Sequence, residues 1–166
     1  VERRFDLAMP GRFQAENAAL AYLALRGVRP DIPFEAIRRG LAAARLPGRM
    51  EIAGTTPPLV LDAAHTPLAT ERVLESFRHL FPGAGVLLFG SVAGKRPEDM
   101  ARILAPAFAH IVITTPGTFK ESDPRGLWNI FRKERPKAEL EADPARALDR
   151  AFELSRGRLP ILVTGA

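Results

Sequence analysis

Cysteine is absent from all 166 residues. Disulfides, zinc–thiolate sites, iron–sulfur clusters and a cysteine nucleophile are thereby excluded, and a reducing, cytoplasmic setting fits. Tyr22 and Trp128 are the only residues of their kinds, and neither sits in an aromatic RNA-binding motif. No apolar run approaches the ~18 residues of a membrane span, and no basic-plus-apolar leader opens the chain. Val1 rather than Met stands first, so the chain reads as a piece of a longer polypeptide. His65, His79 and His110 are scattered, so no histidine-rich metal site is expected. No G-x-S-x-G elbow and no conspicuous carboxylate pair supports covalent or acid–base catalysis by the chain itself.

Apolar residues make up 46% and charged residues 26%, the balance of a folded globular chain of about one domain. Twenty arginines and four lysines outweigh 19 acidic residues for a net charge of +5. Such an excess favours anionic partners such as phosphates and carboxylates. The basic residues form no dense stripe, with Arg3–Arg4 and Arg38–Arg39 the only adjacent arginine pairs. Neither nucleic acid nor a membrane is therefore an expected partner.

Residues 1–10 read as a short extended piece ending at Met9-Pro10-Gly11. An Ala- and Leu-rich helix is predicted over 13–26, with Asn17, Leu20, Ala21 and Ala24 on one face. A second helix follows Pro33, which suits a first-turn position. Pro47-Gly48 breaks the pattern. The chain divides there into 1–45, a strand and two helices, and 46–166. Strands are then predicted at Met50–Ala53, Leu59–Asp62, Val86–Gly90, Ile111–Thr115, Lys137–Leu140 and Pro160–Thr164. The helical patterns between them include Val73, Leu74, Phe77, Leu80 and Phe81, then Met100, Ile103, Leu104, Ala107 and Phe108, and finally Leu148, Ala151, Phe152 and Ser155. Asp123-Pro124 and Asp143-Pro144 read as helix starts, an N-cap acid before a first-turn proline. Repeated β-α-β alternation with continuous apolar runs implies an α/β fold, a mostly parallel Rossmann-like sheet with helices on both faces. Ligands of such sheets lie beyond the carboxyl ends of the strands.

Four strand-end loops are candidates for chemistry. In Leu61-Asp62-Ala63-Ala64-His65-Thr66-Pro67, Asp62 ends a buried strand while His65 and Thr66 open a helix. A carboxylate there can hold a ribose hydroxyl or a hydrated Mg²⁺, and a histidine can donate to phosphate at a helix N-terminus. Helix capping by Asp62 or Thr66 is the alternative. Phe89-Gly90-Ser91-Val92-Ala93-Gly94-Lys95-Arg96 is one residue short of a Walker loop, and Arg96 replaces the Mg²⁺-binding Ser or Thr. Lys95 can still bind a carboxylate as a point charge. Thr114 to Pro124 is long and polar. Arg49, behind a Pro-Gly turn, can reach a phosphate with its planar fork. Asn17 is polar on an apolar helix face, placed for a ligand base or a backbone group.

Three ordered segments together carry a resemblance. Gly11-Arg12-Phe13-Gln14-Ala15-Glu16-Asn17-Ala18-Ala19-Leu20-Ala21 resembles the G-x-x-Q-x-x-N-A-x-x-A segment of folylpolyglutamate synthases and their Mur-ligase relatives. Pro47-Gly48-Arg49-Met50-Glu51 resembles the P-G-R-x-E that follows, and Asp62-Ala63-Ala64-His65-Thr66-Pro67 resembles the D-x-A-H-[NT]-P after it. The resemblance implies an ATP-dependent ligase in which a central domain carries the phosphate loop and Mg²⁺ ligands. A Rossmann-like C-terminal domain closes over it. A substrate carboxylate becomes an acyl phosphate, and the amino group of L-glutamate displaces phosphate to form an amide.

By that resemblance residues 1–45 are the tail of the central domain, and the chain is a monomer's partial active site, inactive alone. Asn17 contacts adenine, Arg49 the ATP phosphates, Asp62 the ribose and His65 the γ-phosphate region. Thr66 and Lys95 lie near the incoming amino acid. ATP, Mg²⁺, folate and L-glutamate are the implied ligands. Two departures stand out. Thr66 replaces the Asn more usual in folate enzymes, and Gly94-Lys95-Arg96 replaces Asp-Lys-Asp. The alternatives are a Mur-type ligase of peptidoglycan precursors and a non-catalytic nucleotide-binding module.

Overall fold

A computed structural model describes residues 4–117 and 121–165. Thr118, Phe119 and Lys120 of the third candidate loop lie outside the described residues. Helices α1 (Phe13–Val28) and α2 (Phe34–Ala43) come first. Strands β1 (Glu51–Thr55) and β2 (Pro58–Leu61) form an antiparallel pair. Then follow α3 (Pro67–Leu80), β3 (Val86–Gly90), α4 (Pro97–Leu104), β4 (His110–Thr114), α5 (Pro124–Glu134), β5 (Glu139–Leu140), α6 (Pro144–Ser155) and β6 (Ile161–Thr164).

The six strands form one sheet in the order β1-β2-β6-β3-β4-β5, parallel except at β1. The connections from β2 to β5 all step one way across the sheet, whereas β5 returns to β6. Right-handed crossovers then put α3, α4 and α5 on one face and α6 on the other. The alternation of side chains follows. Leu87, Phe89, Ile111, Ile113 and Leu162 pack under α3–α5 with Val73, Phe77, Met100, Leu104 and Phe131. Val86, Leu88, Val112 and Ile161 face α6 through Ala147 and Ala151. Burying each large apolar side chain contributes about 1.5–3 kcal/mol.

The strands match the apolar runs within two residues. Asp123 and Asp143 cap α5 and α6 as predicted, accepting from Gly126 N at 2.8 Å and Arg146 N at 2.9 Å. Four features differ. Residues 4–10 form no strand and pair with neither edge of the sheet, β1 or β5. The face of α1 carrying Asn17, Leu20, Ala21 and Ala24 is exposed, and Gln14 and Ala18 are its buried residues. Helix α4 stops at Leu104, and a 3₁₀ turn over Ala105–Ala107 carries Phe108 into the core. Leu80 and Phe152 fall at the solvent margin of their helices.

Candidate functional site

The carboxyl end of β2 is tied to the segment 48–50, and Asp62 makes the tie. It directly follows β2, is 6% exposed, and accepts from Met50 N at 2.9 Å and Ala64 N at 2.8 Å. Ala63 N also donates to Gly48 O at 2.8 Å. The turn is conformationally demanding, since Gly48 and Met50 both have positive φ, 65° and 49°. Glycine accepts that region freely, but for methionine it is strained. Full burial of the Met50 side chain and its hydrogen bond to Asp62 hold it there. Burial pushes the Asp62 carboxyl above its ordinary range, while the two N–H groups and the nearby Arg49 guanidinium act in the opposite direction.

Arg49 is consequently presented outward from a fixed turn. It lines a groove of about 540 Å³ together with Phe13, Gln14, Asn17, Ala18, Leu41 and Leu46. An adjoining hollow of about 380 Å³ sets Arg49 beside Met9, Arg45 and Glu51. The structure therefore brings Asn17 and Arg49 to one groove, with Asp62 behind the turn that carries Arg49. The groove combines apolar walls, an amide and a guanidinium, which is chemistry suited to a flat heteroaromatic base attached to phosphate.

His65 is half-buried one residue beyond Ala64. Its Nδ1 lies 2.9 Å from Ala63 O, so that nitrogen carries hydrogen and donates. The second ring nitrogen is then left to accept, or to donate when the ring is charged. Thr66 is the N-cap of α3, its hydroxyl accepting from Ala69 N at 3.3 Å, with Pro67 in the first turn. Capping is thus the contact that the fold gives the Thr66 hydroxyl. Lys95 stands apart, in a small hollow of about 170 Å³ beside Ser91, Asp123 and Gly126. His79 and His110 lie in the last turn of α3 and at the amino end of β4, away from this edge. Among the described residues no three His, Cys, Asp or Glu side chains converge as metal ligands, and no helix is long and apolar enough to cross a membrane.

A further cavity of about 400 Å³ opens on the α6 face at the same edge, walled by Leu61, Leu88, Leu148 and Val163. The hydroxyls of Thr114, Thr115 and Thr164 at its rim bond to backbone carbonyls of Ala142 and Ala64. Asp62, Gly48, Gly90 and residues 114–117, from the four candidate loops, also line this cavity, so it is here that Asp62 and the third loop meet, as loops after parallel strands are expected to. Sequence reasoning missed roles for Gln14 and Met50. Gln14 had a visible signal, its place as the Gln of the G-x-x-Q-x-x-N segment one turn before Asn17.

A family model described as "Mur ligase, glutamate ligase domain" matches residues 48–166. A probable bifunctional folylpolyglutamate synthase/dihydropteroate synthase of Haloferax volcanii is 38% identical over 164 residues, covering 97% of this chain and 20% of the relative. The UDP-N-acetylmuramoyl-L-alanyl-D-glutamate–2,6-diaminopimelate ligase of Aquifex aeolicus is 29% identical over 164 residues, covering 93% of this chain and 33% of the relative. The crystal structure of Mycobacterium tuberculosis folylpolyglutamate synthase complexed with ADP and AMPPCP superposes with a TM-score of 0.89 at 25% identity, over 96% of this chain and 39% of that one. The chain thus spans between about a fifth and two fifths of the length of these relatives.

Proposed function

From the premise that this chain belongs to the glutamate ligase domain family of the Mur ligases, we propose that it is the C-terminal part of an ATP-dependent ligase that joins L-glutamate to a folate. Residues 46–166 are the ligase domain, and residues 1–45 are the tail of the ATP-binding domain before it. The observation that carries the reading is the shared groove of Asn17 and Arg49, held in place by the Asp62–Met50 hydrogen bond. Three sequence segments that resemble the family's motifs meet at that one edge.

In this reading Asn17 contacts adenine and Arg49 the phosphates. Asp62 fixes the turn that carries Arg49. Both of its carboxylate oxygens already accept backbone N–H groups, and their remaining lone pairs are what a ribose hydroxyl would use. His65 presents its second ring nitrogen toward the γ-phosphate. Lys95 holds the carboxylate of the incoming amino acid, and Thr66, which caps α3, is assigned to the same substrate by the motif resemblance alone. The Mg²⁺ that accompanies ATP is assigned to ligands of the preceding domain.

The exposed apolar face of α1 supports the domain assignment. Leu20, Leu23 and Val28 are 66%, 64% and 79% exposed. A face of that kind calls for a packing partner, and the body of the ATP-binding domain is the one proposed. A Mur-type ligase is the second reading, favoured by the Aquifex aeolicus relative.

The test is phosphate release by the full-length polypeptide with ATP, Mg²⁺ and L-glutamate. Tetrahydrofolate, dihydropteroate and a muramoyl-peptide precursor are supplied separately, the last with its cognate amino acid. Release with a pterin is the expected result. Release with the muramoyl precursor alone moves the protein to the second reading. Silence with all three, from folded protein, leaves a nucleotide-binding module without ligase activity.

A further inference from the structure

We propose that two crossed ion pairs between α1 and α3 form a clasp that holds the ligase domain closed against the ATP-binding domain. The proposal rests on the reading of residues 1–45 as the tail of that second domain. Arg12, at the N-cap of α1, donates from Nη1 to Glu75 Oε1 at 3.2 Å, and Arg72 Nη1 donates to Glu16 Oε2 at 2.5 Å. Arg12 and Glu16 are four residues apart, and Arg72 and Glu75 three, so each couple lies on one face of its helix. The earlier residue of each helix pairs with the later residue of the other. A slip of one turn would therefore set Arg12 against Arg72, or Glu16 against Glu75. The four charges thus favour one alignment of the two helices and oppose its neighbours.

The contact is also releasable. A hollow of about 300 Å³ lies among the pairs, lined by Arg12, Phe13 and Glu16 from α1 and by Arg72, Glu75 and Ser76 from α3. Phe13 alone of the six is apolar, so charge rather than close packing sets the alignment. Both pairs are solvated, and each opposes opening by about two- to fivefold. The chain itself passes from one part to the other once, through the residues between α2 and β1 that include Pro47 and Gly48. A single crossing leaves rotation about it free, and a second attachment at α1 and α3 removes that freedom. The two sides of the groove, α1 and Arg49, stay together while the clasp is closed.

The hollow supplies a place for a probe. Ser76 is 2% exposed, its hydroxyl has no hydrogen-bond partner among the described residues, and α1 lies over it. Cysteine is absent from these 166 residues, so Ser76→Cys adds one thiol whose labelled peptide is identified by mass spectrometry. With the closed form predominant and closing fast, its alkylation rate follows the open population. In the full-length polypeptide carrying Ser76→Cys, Arg12→Glu or Glu75→Arg should each raise that rate by about fivefold, because each removes a pair and sets like charges together. Arg12→Glu brings an acid to the start of α1, which the helix dipole favours, so a weakened helix does not explain the gain. The two reversals combined restore a pair of swapped sign and should return the rate to within about twofold of the Ser76→Cys parent. Rates unchanged by either reversal, or gains that multiply in the combined variant, overturn the clasp. Urea separates that failure from failure of the domain reading. Labelling through domain opening depends weakly on urea, because little surface is exposed, whereas labelling through global unfolding carries the full slope. The full slope would make residues 1–45 and the ligase domain one body and remove the domain reading itself. A weak slope with unchanged rates removes only the clasp.

Discussion

Asp62 Oδ2 accepts the backbone N–H of Met50 at 2.9 Å, across twelve residues of sequence, and so locks a strained positive-φ methionine at the mouth of the sheet. The bond ties the end of β2 to the turn that carries Arg49. It makes a buried carboxylate part of the groove's architecture.

Replacing Asp62 by Asn leaves one of the two N–H groups facing an amide nitrogen. Leaving a buried donor unsatisfied costs about 1–3 kcal/mol. Urea unfolding should show that loss, and the full-length polypeptide should show a raised KM for ATP. Wild-type values for both would detach this contact from the groove.

The same residue predicts a pH dependence. Burial raises the Asp62 carboxyl above its ordinary range, so the folded state holds the proton more tightly than the unfolded chain. Its contribution to stability is present below the unfolded carboxyl value and is lost as pH rises through the raised folded value. The stability of wild type relative to Asp62→Asn should decline across that window and level off above it. Melting curves measured in steps from acid to neutral pH check the sign, and an increase across the window contradicts it.

His65→Ala should lower ligase turnover in the full-length polypeptide by at least about tenfold, a modest share of what a positioned histidine supplies. The residue is half-buried at a loop, so the melting temperature should barely move. His65→Gln, whose amide reaches toward the position of the second ring nitrogen, should retain more activity than His65→Asn. The reverse order would place the working nitrogen at Nδ1, which already bonds to Ala63.

Arg49→Ala should raise KM for ATP, and Arg49→Lys should recover little of it, since an ammonium lacks the planar fork that matches phosphate. Full recovery by lysine would reduce Arg49 to a point charge.

Thr66→Ala removes the cap of α3 at a cost of about 0.5–2 kcal/mol, and Thr66→Ser should restore it. A large change in KM for the amino acid, with no loss of stability, would instead give Thr66 the substrate contact.

Much of this was legible before the fold was known. Val86–Gly90 is one uninterrupted apolar run and forms β3 with the predicted bounds. Thr66-Pro67, Asp123-Pro124 and Asp143-Pro144 mark three helix starts because capping is settled within four residues. Asn17 and Arg49 were legible as candidates through motif resemblance, but not their common groove. The exposed side of α1 was not legible either. An apolar stripe announces that a helix packs, without naming the partner, and here Leu20 and Leu23 face away from the sheet.

What the sequence determined by itself was local: where helices begin, which runs are strands, and which loops follow parallel strands. Those depend on contacts between near neighbours and on periodicity. Only the tertiary structure decided that β6 returns between β2 and β3, that Met50 is pinned by Asp62, and that Gln14 faces Met9 and Asn17. Strand order and the partners of a buried polar group arise from segments distant in sequence. Their energies exist only once the chain has closed on itself.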